Sequence, residues 1–122
     1  MPTGVERIAA ERQRQVDVEG WTPEHDDHHD RDSMAKAAAC YAAPVEVFAL
    51  TQLRDGGVRA TSIWPWETKW DKRVRPSNSG FLGSDLDARI RDLEKAGALC
   101  AAEIDRLQRL KARRGLDTAS AA

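Results

Sequence analysis

Between Ser84 and Gly115 the chain runs without a proline, and apolar or small residues recur at alternating spacings of four and three: Leu86, Ile90, Leu93, Gly97, Cys100, Ile104 and Leu107. That period belongs to one face of an α-helix, so much of the chain is committed to a single rod whose stripe must be covered. Ser84 with Asp87 three residues on makes a capping-box pattern, Asp standing for the usual Glu. Asp85, Asp87 and Asp92 gather near the start, and Arg109, Lys111, Arg113 and Arg114 near the end, so both sets complement the helix dipole. The stripe predicts a partner helix. Gly97, which costs roughly 1 kcal/mol against Ala inside a helix, predicts close contact at that point.

The neighbour expected there is "MAKAAACYAA", Met34 to Ala43, whose small side chains let a facing helix approach closely. Asp32 or Ser33 caps it, and Pro44 marks its end. A further helix over Thr3 to Glu19 has Thr3 as its cap and Gly20 as its stop. Its apolar face reads Val5, Ile8, Ala9 and Val16, with Arg12 breaking the stripe. "VEVFALTQL", Val45 to Leu53, alternates like a strand at first but also suits a helix with Pro44 in its first turn. With no convincing partner strand, helix is the expectation, followed by a turn at Asp55, Gly56 and Gly57. The fold class that follows is all-α: a small domain of three to four helices over residues 1–115, with a frayed tail at 116–122. Two long irregular loops, Trp21 to Asp32 and Ile63 to Gly83, carry most of its aromatic and histidine residues.

Composition narrows the partners. The 122 residues are 41% hydrophobic and 32% charged, which suits one globular domain. A net charge of −1 gives no field that would draw the whole chain to nucleic acid or an anionic membrane. No apolar run approaches the roughly 18 residues of a membrane span. "MPTGVERIAAERQRQ" has no apolar signal region, so the expected compartment is the cytoplasm. Cys40 and Cys100 sit in alanine-rich helical patterns without a CxxC spacing, and read as reduced thiols acting as small hydrophobes.

The chemistry concentrates in the loops. Glu24 to Asp32 holds five carboxylates, three histidines and one arginine, just after Trp21 and Pro23. A metal site there would draw on His25, His28 and Asp30, although the spacing matches no standard zinc signature. No nucleophile motif and no phosphate-cradling glycine loop is present, so the reading leans away from an enzyme and requires no cofactor. The second loop, "IWPWETKWDKRVRPSNSGFLG", holds three of the four tryptophans. Its segment from Lys69 to Arg75 is basic, with Lys69, Lys72, Arg73 and Arg75 against Asp71. If the loops meet, stacking faces, acceptors and cations converge, which is what a nucleotide-derived ligand needs. The competing structural reading makes "WPW" a plug over the bundle and the Asp/His run a solvated turn. A basic-aromatic surface also suits single-stranded nucleic acid, but the acidic loop would repel phosphate.

Four blocks, "ERIAAERQRQVDVEGWTPEHDDHH", "MAKAAACYA", "IWPWETKWDK" and "RDLEKAGALCAAEIDRL", resemble, in the same order, a family of small uncharacterised proteins of tailed phages and prophages. Gly20-Trp21, the acidic pair Asp26-Asp27, and Arg91-Asp92 to Ala98 also resemble the RyR-type domain, a small helical module. The chain departs from that module in its first helix, where Ala9 and Arg12 stand at the positions of the module's His and Trp. The resemblance implies a site for a nucleotide-derived ligand lined by Trp21, Asp26 and Asp27.

The expected function is therefore a phage-encoded, non-enzymatic binding protein that sequesters an ADP-ribose-like or cyclic-nucleotide host immune signal. Its site would comprise Trp21, His25, Asp26 and Asp27 with Trp64, Trp66, Lys69 and Arg73. The alternatives are an accessory protein using the tryptophan loop as a partner-binding hot spot, and a metal-dependent hydrolase. The last helix is long enough to form a homo-oligomer through its outer face.

Overall fold

The computed structural model describes residues 1–29, 31–73 and 86–121, with side chains described to residue 116. Four helices and one β-hairpin follow in the order α1 (Gly4–Asp17), α2 (Pro23–Asp26), α3 (Ser33–Ala42), β1 (Phe48–Gln52), β2 (Val58–Ser62), α4 (Leu86–Ala121). A 3-10 turn, Thr68–Trp70, follows β2 among the described residues.

The all-α expectation is overturned by the hairpin. β1 and β2 pair antiparallel with Phe48 opposite Ser62 and Gln52 opposite Val58. The strand expected to be missing is "VRATS", immediately after the glycine turn. Gly56 N–H donates to the Leu53 carbonyl at 3.1 Å, and Leu53 N–H donates to the Gly57 carbonyl at 2.7 Å. Gly56 has φ +89°, so the loop is a tight turn closed by a left-handed residue, a standard three-residue hairpin connection. Every residue of both strands is exposed, and neither strand packs on a helix among the described residues. Without a buried face, β2 alternates only briefly, Val58 and Ala60 against Arg59 and Thr61, which is why its sequence does not announce it.

The core lies between α3 and α4. Met34, Ala37, Ala38 and Tyr41 of α3 meet Ala96, Leu99 and Ala102 of α4, and Trp21, Trp64 and Trp66 pack against this cluster. Small side chains on both helices bring the two backbones close. Arg89 of α4 donates to the Tyr41 carbonyl at 3.0 Å and to the Ala42 carbonyl, satisfying acceptors that the end of α3 leaves open.

The stripe Leu86–Leu107 does not face α3. Leu86, Ile90, Leu93, Cys100, Ile104 and Leu107 are exposed, and the inward face of α4 is offset from them, centred on Leu99. Gly97 is explained by α1 rather than α3: a Cβ there would lie 2.5 Å from Ile8 Cδ1. Helix α1 carries the expected cap, a full capping box between Thr3 and Glu6. Its buried residues, however, are Glu11 and Gln15. Helix α3 begins after Asp32, which has φ +56° and makes no side-chain capping bond. The expected Ser84 cap lies outside the described residues.

Candidate ligand-binding cavity

The first loop is built by a short helix. Thr22 accepts a hydrogen bond from His25 N–H at 3.3 Å, and Pro23 occupies the first helical turn, where its missing N–H costs nothing. This turn separates the two adjacent carboxylates. Asp26 points inward, its side chain 1% exposed, and Arg12 Nη2 donates to it at 2.6 Å. Asp27 points toward the far end of α4, where Arg109 Nη2 donates to it at 2.8 Å and Arg113 lies 3.7 Å away. The hydrogen bond from Arg109, with the charge of both arginines, holds the Asp27 carboxyl below its usual range. Arg12, which breaks the apolar stripe in the sequence, is thus the internal counter-ion of Asp26.

Among the described residues the two loops meet through rings, not through opposite charges. Trp21 lies parallel to His25 with centroids 6.1 Å apart, and Trp66 sits 6.4 Å from Trp21 and 5.3 Å from His29. His29 also meets the edge of His25 at 4.8 Å. Burial, then the neighbouring His25, pushes the His29 pKa down, so this imidazole favours its neutral form. Trp64 packs edge-on against Trp66 and Tyr41, and its Nε1 donates to the Glu67 carbonyl at 3.2 Å.

These rings border a cavity of about 690 Å³ between α1, α2, α3, α4 and the segment after β2. Of the residues expected to form a site, Trp21, His25, Asp26 and Trp66 line it. The others lie elsewhere. Asp27 is bound to α4, and Trp64 stands behind Trp66. Lys69 pairs with Glu67 at 3.6 Å on the surface, and Arg73 is held by Asp71 at 2.6 Å and by Glu46 at 3.4 Å. Of the metal candidates, His28 is exposed and Asp30 lies outside the described residues. Among the described residues no group of three His, Cys, Asp or Glu side chains could hold a metal ion.

The helices supply the rest of the wall, and the sequence reading passed over these residues. Glu11, its side chain 1% exposed, accepts from Arg14 Nε at 2.7 Å and faces Arg91 Nη1 at 2.7 Å. Burial pushes its carboxyl pKa up, but the bonds and charge of the two arginines outweigh that and hold it below the usual range. Gln15, 2% exposed, donates to Glu11 at 3.4 Å, while its Oε1 has no donor among the described residues. Trp66 Nε1 likewise lacks an acceptor there. Lys95 Nζ stands 5.6 Å over the Tyr41 ring, and Tyr41 Oη accepts from Lys72 N–H at 3.1 Å. The signal that could have found α1's contribution is the spacing Ile8, Glu11, Gln15, which runs three then four like any inward stripe. The arrangement can stack a planar group, neutralise an anion and exchange hydrogen bonds at its edge.

No helix of the described residues is long and apolar enough to cross a membrane. Comparison with protein families, with curated proteins and with solved structures found no match.

Proposed function

We propose that the protein binds a nucleotide-derived small molecule in this cavity, holding it without turnover. The observation that carries the reading is the aromatic wall: Trp21, Trp66, His25 and His29 gathered from two distant stretches of chain onto one hollow. A volume near 690 Å³ suits a ligand of nucleotide size. Set beside the resemblance to tailed-phage proteins, the biological role is sequestration of an ADP-ribose-like or cyclic-nucleotide host signal.

The test is a thermal-shift panel of purine mononucleotides, dinucleotides, cyclic oligonucleotides and ADP-ribose. Ligand at about 100 times its Kd adds roughly 2.7 kcal/mol to stability, which moves a domain of this size by several degrees. Trp21→Ala and Trp66→Ala are each expected to weaken binding about tenfold, since one base-aromatic stack contributes roughly 1–3 kcal/mol. Two folded variants that bind as wild type overturn the proposal, as does a flat panel. A second reading rests on Trp70, which is 53% exposed at the rim beside Lys69 and fits a protein-partner hot spot. One dominant protein partner in a pull-down, with no small molecule co-purifying, favours it. Self-association through the outer face of α4 belongs to the proposal as well.

A further inference from the structure

The charges lining the cavity do not cancel evenly in space. Each carboxylate on its wall already has a cation: Glu11 has Arg14 and Arg91, Glu19 has Arg14 at 3.1 Å, Asp26 has Arg12, and Glu67 has Lys69. Lys72 and Lys95 also line it, and among the described residues neither has a carboxylate within ion-pair distance. Both adjoin Tyr41: the Lys95 ammonium stands over the ring, and the Lys72 backbone N–H donates to the phenol oxygen with its side chain exposed. Gln15 and Trp66 belong to the Trp21 end: the Gln15 carbonyl accepts from Trp21 N–H at 3.0 Å, and Trp66 packs on the Trp21 ring.

We infer that the Tyr41 end is an anion subsite built by Lys95 and Lys72, and that the ligand carries a phosphate seated there with its ring against Trp21 and Trp66. This rests on the cavity reading above and gives the ligand a direction. Ammonium groups serve a phosphate as point charges, and two of them suit a dianionic or diphosphate group. The Trp21 and Trp66 rings, 6.4 Å apart on the same wall, supply a stacking face for the rest of the ligand. Burial, then the charge of Arg91, pushes the Lys95 pKa down against the opposing charges of Asp92 and Glu11.

Calorimetric titration of wild type, Lys95→Gln and Lys95→Arg with three probes tests this: ADP-ribose, adenosine and inorganic pyrophosphate. Lys95→Gln is expected to weaken ADP-ribose binding about tenfold or more while leaving adenosine unchanged, with Lys95→Arg recovering most of the loss, since a charge-assisted bond is what is removed. Lys95→Gln is also expected to melt no lower than wild type, because it removes a desolvated cation; that separates lost binding from lost folding. Adenosine bound as tightly as ADP-ribose, or equal losses for both, overturns the anion subsite and leaves the cavity reading standing. Pyrophosphate bound by wild type and not by Lys95→Gln, with no gain from the nucleoside, supports the subsite and overturns the nucleotide reading. Silence with all three probes overturns the anion subsite together with the ADP-ribose reading.

Discussion

Single residues explain why this cavity can be polar and still hold together. Glu11 and Gln15 are the buried residues of α1, at inward positions that apolar side chains usually fill. Burying a carboxylate is tolerable only if it is paired and hydrogen-bonded, and Glu11 is clasped by Arg14 and Arg91 from two different helices. His29 has no such clasp. Its pKa lies below the ordinary value of 6.5, depressed first by burial and then by His25. His28 and Arg106 add to that depression, and Asp26 opposes it. The unfolded chain therefore binds the proton more readily than the folded one, and stability falls as pH drops below about 6.5 toward the depressed folded value. Tm is expected to fall as the pH is lowered through that window, and His29→Gln to flatten the dependence. An unchanged slope in the variant would locate the acid sensitivity elsewhere. Glu11 acts lower on the scale: its depressed pKa contributes stability that is lost only as pH falls below 4.5.

At the scale of elements, one contact fixes how α1 crosses α4. Ile8 occupies the space over Gly97, where any Cβ would come within 2.5 Å of it. Gly97→Ala gains roughly 1 kcal/mol of helix propensity and meets an overpacking cost of roughly 1–3 kcal/mol. The net expectation is destabilisation of about 1 kcal/mol, measured by urea denaturation. Trimming the neighbour reverses the sign: in an Ile8→Ala background, Gly97→Ala is expected to stabilise. If the two substitutions instead add independently, the contact does not set the crossing.

The same elements show what a sequence reveals. α1, α3 and α4 announce themselves because caps and helical periodicity are local, and the Thr3–Glu6 capping box is the clearest case. α2 hides because four residues are too few for a period, although Thr22 and Pro23 mark its start. The hairpin hides because periodicity reports burial, and its strands bury neither face. The inversion of α4 has the same root: an apolar stripe says that a face seeks cover, not which neighbour covers it. In the cavity, Trp21, His25, Asp26 and Trp66 were legible because bulky rings and clustered carboxylates in loops are unusual. Glu11, Gln15 and Lys95 were not, since a charged residue on a helix reads as solvated until a second element closes over it.

For the whole molecule, the stripe on α4 is an apolar face that the described residues leave exposed. Leu86 at 66%, Ile104 at 56% and Leu107 at 46% exposure share it at coiled-coil spacing. Asp87 stands at one end of α4 and Lys111 continues the stripe at the other, so two copies laid antiparallel bring opposite charges together. We expect a dimer by sedimentation equilibrium, converted to monomer by Leu93→Glu with Ile104→Glu while helical content is retained. A wild-type monomer throughout the accessible concentration range would remove this interface.

The placement of the tryptophans has one further consequence. All four belong to one neighbourhood: Trp21, Trp66 and Trp70 line the cavity, and Trp64 stands against Trp66. The natural ultraviolet emission of this protein is therefore the emission of a single place. Excited at the red edge of indole absorption, the intact, unlabelled chain is its own optical probe of this neighbourhood, Trp70 answering to solvent and Trp21 and Trp66 to the hollow.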